Sequence, residues 1–275
     1  MQTIIAATDF TPHSLNAVNY AADLAMVLGA NLTLFHVYQV PIAFSEVPAP
    51  VISIEDLEKD AGEKMNQLEG TILERTGNRI HVFKVIRQGA VVNELDDYCN
   101  NSNVYAVVMG SESANALERF LGGGRTTSAI THLKCPVISV PPGNKFRNIK
   151  KIGLACDFKN VVDTIPLREI KSLVNEFKAE LHVLHVSAET ETGYSAQTVE
   201  ESGWLQEIVG ELRPVYHFIR DEDIEKGICE FAEKNNLDLL LVIPKKHHIL
   251  DKLFSHSHSQ KMVIHSHVPV MSIHE

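Results

Sequence analysis

The sequence predicts two α/β domains in tandem, each a mainly parallel sheet covered by helices on both faces. Short, nearly continuous apolar segments alternate with helix-spaced ones along the chain, the pattern of strands buried on both sides. The alternation is written twice: "IIAATDF" (4–10) matches "IGLACDF" (152–158), "LTLFHV" (32–37) matches "LHVLHV" (181–186), and "CPVISVPP" (135–142) matches "VPVMSIHE" (268–275). Setting Pro136 on Pro269 gives an offset of 133, which also sets "VYAVVM" (104–109) on "LDLLLV" (237–242) without a gap. With 275 residues the chain has the length for two such units. They run over 1–142 and 151–275, with 143–150 as the linker.

In the first half "TIIAAT" reads as a strand. Thr11 is placed to N-cap a helix with Pro12 at its first position. Leu15, Val18, Ala22, Ala25 and Leu28 recur at helical spacing, and Gly29 closes that helix. "NLTLFHVY" is a second strand, followed by a loop holding Pro41, Pro48 and Pro50. Ser53 opens a second helix with Asp56 as a partial capping box, and Gly77 ends it. "IHVFKVIRQG" is a third strand, "VNELDDYCNNS" a short helix and "VYAVVMG" a fourth strand. "ALERF" and "TTSAITHL" are helical, and "PVISV" is a fifth strand. In sheets of this class ligands bind beyond the carboxyl ends of the strands, where strand order switches.

A formal net charge of −10 argues against general affinity for nucleic acid, which needs a basic surface. The one basic run, "NKFRNIKK" (144–151), reads as a solvated linker. There is no apolar run long enough to span a bilayer and no secretory leader, so the expectation is a cytoplasmic protein without membrane association. Cys99, Cys135, Cys156 and Cys229 lack metal-site spacing and read as reduced thiols.

The stretch "MGSESANALERFLGGGRTTSAITHLKCPV" (109–137) carries the strongest chemical signal. Neither G-x-x-x-x-G-K-[ST] nor G-x-G-x-x-G is present. Instead Gly110 ends a strand, and Gly123 and Gly124 stand just before a helix, whose first N–H groups suit an anion. Arg125 adds charge, while Thr126, Thr127 and Ser128 add hydroxyl donors. A plain flexible turn is the competing reading. Seven of the 14 histidines cluster near the end of the chain: His247, His248, His256, His258, His265, His267 and His274. They read first as a pH-sensitive surface and, as a remote alternative, as metal ligands. H-E-x-x-H and G-x-S-x-G are absent, and no nucleophile is evident beside His36 or His185, which end strands and are placed to reach a cleft.

Taken in order, "TDF" after the first strand, "HV" ending the second, Gly110 ending the fourth, the Gly123–Gly124 pair and "CPV" before the fifth resemble the universal stress protein family. Its nucleotide-binding members carry G-x-x-G-x9-G-[ST]. Here Ser113 replaces a glycine and Gly124 a hydroxyl residue. The resemblance spans both halves. It implies two flavodoxin-like (Rossmann-like, adenine nucleotide alpha hydrolase-like) domains, each with a five-stranded sheet. It further implies an internal pseudo-dimer whose last strands, "PVISV" and "PVMSI", pair across a pseudo-twofold.

The resemblance also implies a site for ATP or a related adenine nucleotide, with or without Mg, in the first half. Asp9, preceded by Thr8, lies near the ribose and Val37 meets the adenine edge. Gly110, Ser113, Gly123, Gly124, Arg125, Thr126 and Thr127 form the phosphate path. In the second half Ile243, Lys246, His256 and Ser257 stand at the places of Gly110, Ser113, Gly123 and Gly124, so no nucleotide is expected there; only Asp157 and Ser259 echo Asp9 and Thr126. The expected function is a cytosolic stress sensor or regulator, with slow ATP hydrolysis at most. It would act through unidentified protein partners, as an internal pseudo-dimer with or without further homodimerisation. An interaction scaffold without nucleotide is the alternative, and metal sensing by the C-terminal histidines a remote third.

Overall fold

The computed structural model describes residues 2–40, 53–111, 125–158, 161–187, 196–244, 262 and 265–274. The first half runs β1 (Thr3–Ala7), α1 (Pro12–Leu28), β2 (Asn31–Tyr38), α2 (Ile54–Thr76), β3 (Val82–Gln88), α3 (Val91–Asn100), β4 (Val104–Gly110), α4 (Arg125–His132) and β5 (Val137–Val140). The second runs β6 (Lys151–Ala155), α5 (Val161–Thr164), α6 (Leu167–Phe177), β7 (Glu180–Ser187), α7 (Ala196–Val209), β8 (Val215–Arg220), α8 (Ile224–Lys234), β9 (Leu239–Val242) and β10 (Val270–Ser272). The expected caps form. Thr11 accepts from the Ser14 amide and Ser53 from the Asp56 amide, while Gly29 and Gly77 close their helices at φ of 60° and 59°.

All ten strands join one sheet in the order β3-β2-β1-β4-β5-β10-β9-β6-β7-β8. Every pairing is parallel except β5 with β10, where Val137, Ile138 and Ser139 oppose Ser272, Met271 and Val270. The second half therefore repeats the first in reverse order, and the last strands pair as the resemblance implied. Strand order switches between β1 and β4 in one half and between β6 and β9 in the other.

Because side chains alternate across a strand, the sheet carries two cores. Ile4, Ala6, Val108 and Ile138 face one way with Ile152, Leu154 and Met271, under α1 and α6. Ile5, Val107 and Val137 face the other with Leu184, Leu240 and Val270, under α3, α4 and α8. Each apolar layer runs without a break from one half into the other.

The connection between halves is less solvated than its charge suggests. Phe146 packs edge-on against Tyr20 of α1, with ring centroids 5.2 Å apart, and Ile149 is buried. Asn16 donates to the carbonyls of Pro141 and Asn144, and the Asn144 amide donates to His267. The Asp238 carboxylate accepts from the Lys150 and Lys151 amides. Tyr105 of β4 donates to Glu176 of α6 at 2.9 Å, a further link across the halves. The basic residues of the run reach outward while its two apolar residues anchor it, so the connection is packed as well as solvated.

Ile138 is 2% exposed and faces Met271 across the antiparallel junction. Ile138→Ala should therefore lower unfolding stability by about 2–5 kcal/mol. Urea denaturation checks this, and a loss below about 1 kcal/mol would show that the junction is not a packed core.

Candidate functional site

Between β1 and β4, beyond their carboxyl ends, lies a cavity of about 250 Å³. Its walls come from the β1–α1 turn (Ala7, Thr8, Asp9, Thr11, His13, Ser14), from Phe35 and Val37 of β2, from Val91 of α3, from Met109 and Gly110 of β4, and from Arg125 and Thr126 of α4. Six of the residues named from sequence thus meet at one crevice: Thr8, Asp9, Val37, Gly110, Arg125 and Thr126. Thr127 is buried on α4 and is not among the lining residues. Ser113, Gly123 and Gly124 lie outside the described residues, as do "ALERF" and the second-half positions Lys246, His256, Ser257 and Ser259.

The β1–α1 turn is held by a dense polar network. Asp9 Oδ1 accepts from the Thr11 amide at 3.1 Å and the Thr11 hydroxyl at 2.6 Å. The Ser14 hydroxyl donates to the Thr11 carbonyl and accepts from the Asp9 amide, and it lies 3.1 Å from Thr8 Oγ1. The Phe10 amide donates to Thr8 Oγ1 at 3.0 Å, and Phe10 takes a φ of 63°, in the left-handed region. Ser14 was not singled out from sequence; its signal is its position three residues after the capping Thr11.

From its place at a strand end His36 reads as able to reach a cleft, with no nucleophile beside it. Its Nδ1 instead sits 2.8 Å from the Thr8 carbonyl, and its ring lies against Phe10 with centroids 4.6 Å apart. His185 repeats this in the second half, 3.0 Å from the Cys156 carbonyl and 4.9 Å from the Phe158 ring, with Phe158 at a φ of 50°. The twice-written "DF" and "HV" are therefore one clamp used twice. An aromatic residue in a left-handed turn is held by a histidine from the neighbouring strand.

Asp9 combines the turn role with a second one. Its Oδ2 lies 3.6 Å from Arg125 Nη1 across the mouth of the crevice. Burial raises the carboxyl pKa, but the hydroxyls of Thr11 and Ser14, the Thr11 amide and Arg125 together outweigh it and hold Asp9 below its usual value. Both side chains of this pair are substantially exposed. Such a pair is worth about 0–1 kcal/mol, so Arg125 exchanges partners at little cost.

Gly110 lines the crevice and also has a packing reason for being glycine. A Cβ there would sit 2.6 Å from the His13 carbonyl oxygen and 2.8 Å from its carbon, inside the first turn of α1. Close packing of α1 on β4 demands the glycine. In the second half Ile243 occupies the equivalent place and packs into the core, and the helix corresponding to α1 is split into α5 and α6 around Ile165 and Pro166. The Thr126 hydroxyl donates to the Gly110 carbonyl at 2.9 Å, so its proton ties α4 to β4 rather than standing free for a phosphate. Of the C-terminal histidines, His247, His248, His256 and His258 lie outside the described residues. His265 and His267 are exposed, and His274 Nε2 lies 2.9 Å from the Ile130 carbonyl. Among the described residues no three His, Cys, Asp or Glu side chains gather as a metal site.

A family model described as "Universal stress protein family" matches residues 1–141 and 148–274. The chain belongs to the universal stress protein family. Universal stress protein MJ0531 of Methanocaldococcus jannaschii is 27% identical over 144 residues, covering 52% of this chain and 83% of that protein. A universal stress protein structure from Archaeoglobus fulgidus superposes with a TM-score of 0.73 at 19% identity, covering 99% of this chain and 96% of its own. A second structure, of a universal stress protein in complex with cAMP, is 20% identical, covers 52% of this chain and 98% of its own, and has a TM-score of 0.41. The tandem arrangement and the mainly parallel sheets are thus those of two universal stress protein domains in one chain. No helix among the described residues is long and apolar enough to cross a membrane.

Gly110→Ala should cost about 1–3 kcal/mol, because backbone of α1 must move; urea unfolding measures it. The Asp9 carboxyl is held below 3.8, so its bonds contribute stability above that pH and lose it as pH falls through the folded value. The stability gap between the native chain and Asp9→Asn should therefore shrink as pH drops below 3.8. A gap that widens with acid would contradict the assigned direction.

Proposed function

We propose that the first half binds ATP or another adenine nucleotide in the crevice between β1 and β4, and that the protein acts as a nucleotide-responsive regulator in the cytosol. The observation that carries this reading is the Asp9–Arg125 pair set across the mouth of a switch-point crevice. An ionised carboxylate has about four lone-pair sites, and Thr11 occupies only Oδ1. Oδ2 is the acceptor for ribose hydroxyls once Arg125 turns to a phosphate. Phe35, Val37 and Val91 supply an apolar wall for a base. The first N–H groups of α4 add to the positive end of the site. Among the described lining residues Asp9 is the only carboxylate, and with phosphates and water it would be available to a magnesium ion.

Adenine nucleotides are ligands elsewhere in the family, as the cAMP complex illustrates. The sequence carries no recognisable hydrolytic motif, and hydrolysis of ATP is expected to be slow at most. The competing reading is a scaffold with a silent site. The engagement of the Thr126 hydroxyl by Gly110, and the missing hydroxyl at Gly124, favour it.

Equilibrium binding of labelled ATP to the full chain decides between them. Saturable binding that weakens roughly 10- to 100-fold in Arg125→Ala, the loss of one charge-assisted contact, supports the nucleotide reading. No binding at millimolar nucleotide by protein shown to be folded selects the scaffold.

A further inference from the structure

The four cysteines look unrelated in the sequence, yet the fold brings two of them into contact. Cys99, near the end of α3, and Cys135, in the turn between α4 and β5, have their sulfurs 2.8 Å apart. Both are reduced and partly exposed, so a small oxidant can reach them. We propose that Cys99 and Cys135 form a reversible dithiol–disulfide site that hydroperoxides oxidise.

The other half shows that packing does not require thiols here. At the offset that relates the halves, Cys99 corresponds to Ala232 and Cys135 to Val268. Both are buried in the same apolar layer, and no sulfur stands at either position. The remaining cysteines are poor competitors. Cys156 is buried, and the Cys229 thiol is pushed up to about 12 by burial and by Glu225. Within the pair, the two thiols share one S–H···S hydrogen bond. That bond, aided by the Cys135 backbone amide and opposed by burial and Asp96, holds Cys135 below its usual value. The same bond, burial and the charges of Cys135 and Asp96 push Cys99 up.

Cys135 is accordingly the attacking thiol. Its thiolate displaces one oxygen of a hydroperoxide, forming a sulfenic acid and releasing an alkoxide or hydroxide that takes up a proton. The Cys99 sulfur then attacks the sulfenyl sulfur, loses its proton and expels hydroxide, which leaves as water. Two thiols and one hydroperoxide become one disulfide, one alcohol (or water) and one water. The bond closes a span of 36 residues and staples α3 to the turn that feeds β5. The site lies near the start of β4, away from the crevice at its end, and stands whether or not the crevice binds nucleotide.

The test is oxidation of the full-length chain with stoichiometric hydrogen peroxide, followed by thiol titration, peptide mapping and thermal unfolding. Two of the four thiols should disappear. The peptides of Cys99 and Cys135 should be found linked, the unfolding midpoint should rise by several degrees, and a dithiol reductant should reverse all three. Cys99→Ala and Cys135→Val, which copy the other half, should each abolish the link. Dimedone should label Cys135 in the first variant and leave Cys99 unlabelled in the second. Thiol loss spread over all four cysteines, or a link between any other pair, would overturn the proposal. Labelling of Cys99 would overturn the assigned order of attack.

Discussion

The antiparallel pairing of β5 with β10 is the interaction on which the rest of the molecule depends. Without it each half would end in an exposed, almost wholly apolar edge strand, a liability for aggregation. Pairing three residues on each side turns two five-stranded sheets into one of ten, and it lets the apolar layers on both faces run through the junction. The connection between halves supports this pairing by packing Phe146 and Ile149 inward and by using side-chain amides to tie α1 to the chain beyond β5.

Within that frame the two halves share one local device and differ in the residue that meets the first helix. The shared device is the left-handed aromatic turn held by a strand histidine, Phe10 with His36 and Phe158 with His185. The differing residue is Gly110 against Ile243. Glycine lets α1 start directly on β4 and run unbroken for 17 residues. Isoleucine accompanies a helix that is interrupted before Leu167. The half with the glycine is the one whose turn, with Asp9 and Arg125, borders the crevice.

Much of this was legible in the chain. The strands, the capped ends of α1 and α2, the repeat and the meeting of Asp9, Val37, Gly110 and Thr126 follow from periodicity, cap chemistry and the family's motif order. The reasons assigned to particular residues were less legible. His36 looked like a cleft residue and is a backbone clamp; the Thr126 hydroxyl looked like a phosphate donor and bonds to Gly110. The linker looked solvated because charge dominates its composition, yet its two apolar residues decide how it packs. In each case the partner is remote in sequence, and local pattern carries no record of it.

By itself the sequence determined what depends on neighbouring residues or on repetition: alternation of elements, helix caps, the doubling of the domain and the asymmetry between Gly110 and Ile243. Only the tertiary structure decided which groups meet. It set Arg125 across from Asp9, placed the His13 carbonyl where a Cβ on Gly110 would stand, and brought Cys99 to Cys135. The physical reason is that hydrogen bonds, ion pairs and thiol contacts act over a few ångströms. Which residues come that close is settled by how strands order in the sheet and how helices seat on it, not by spacing along the chain.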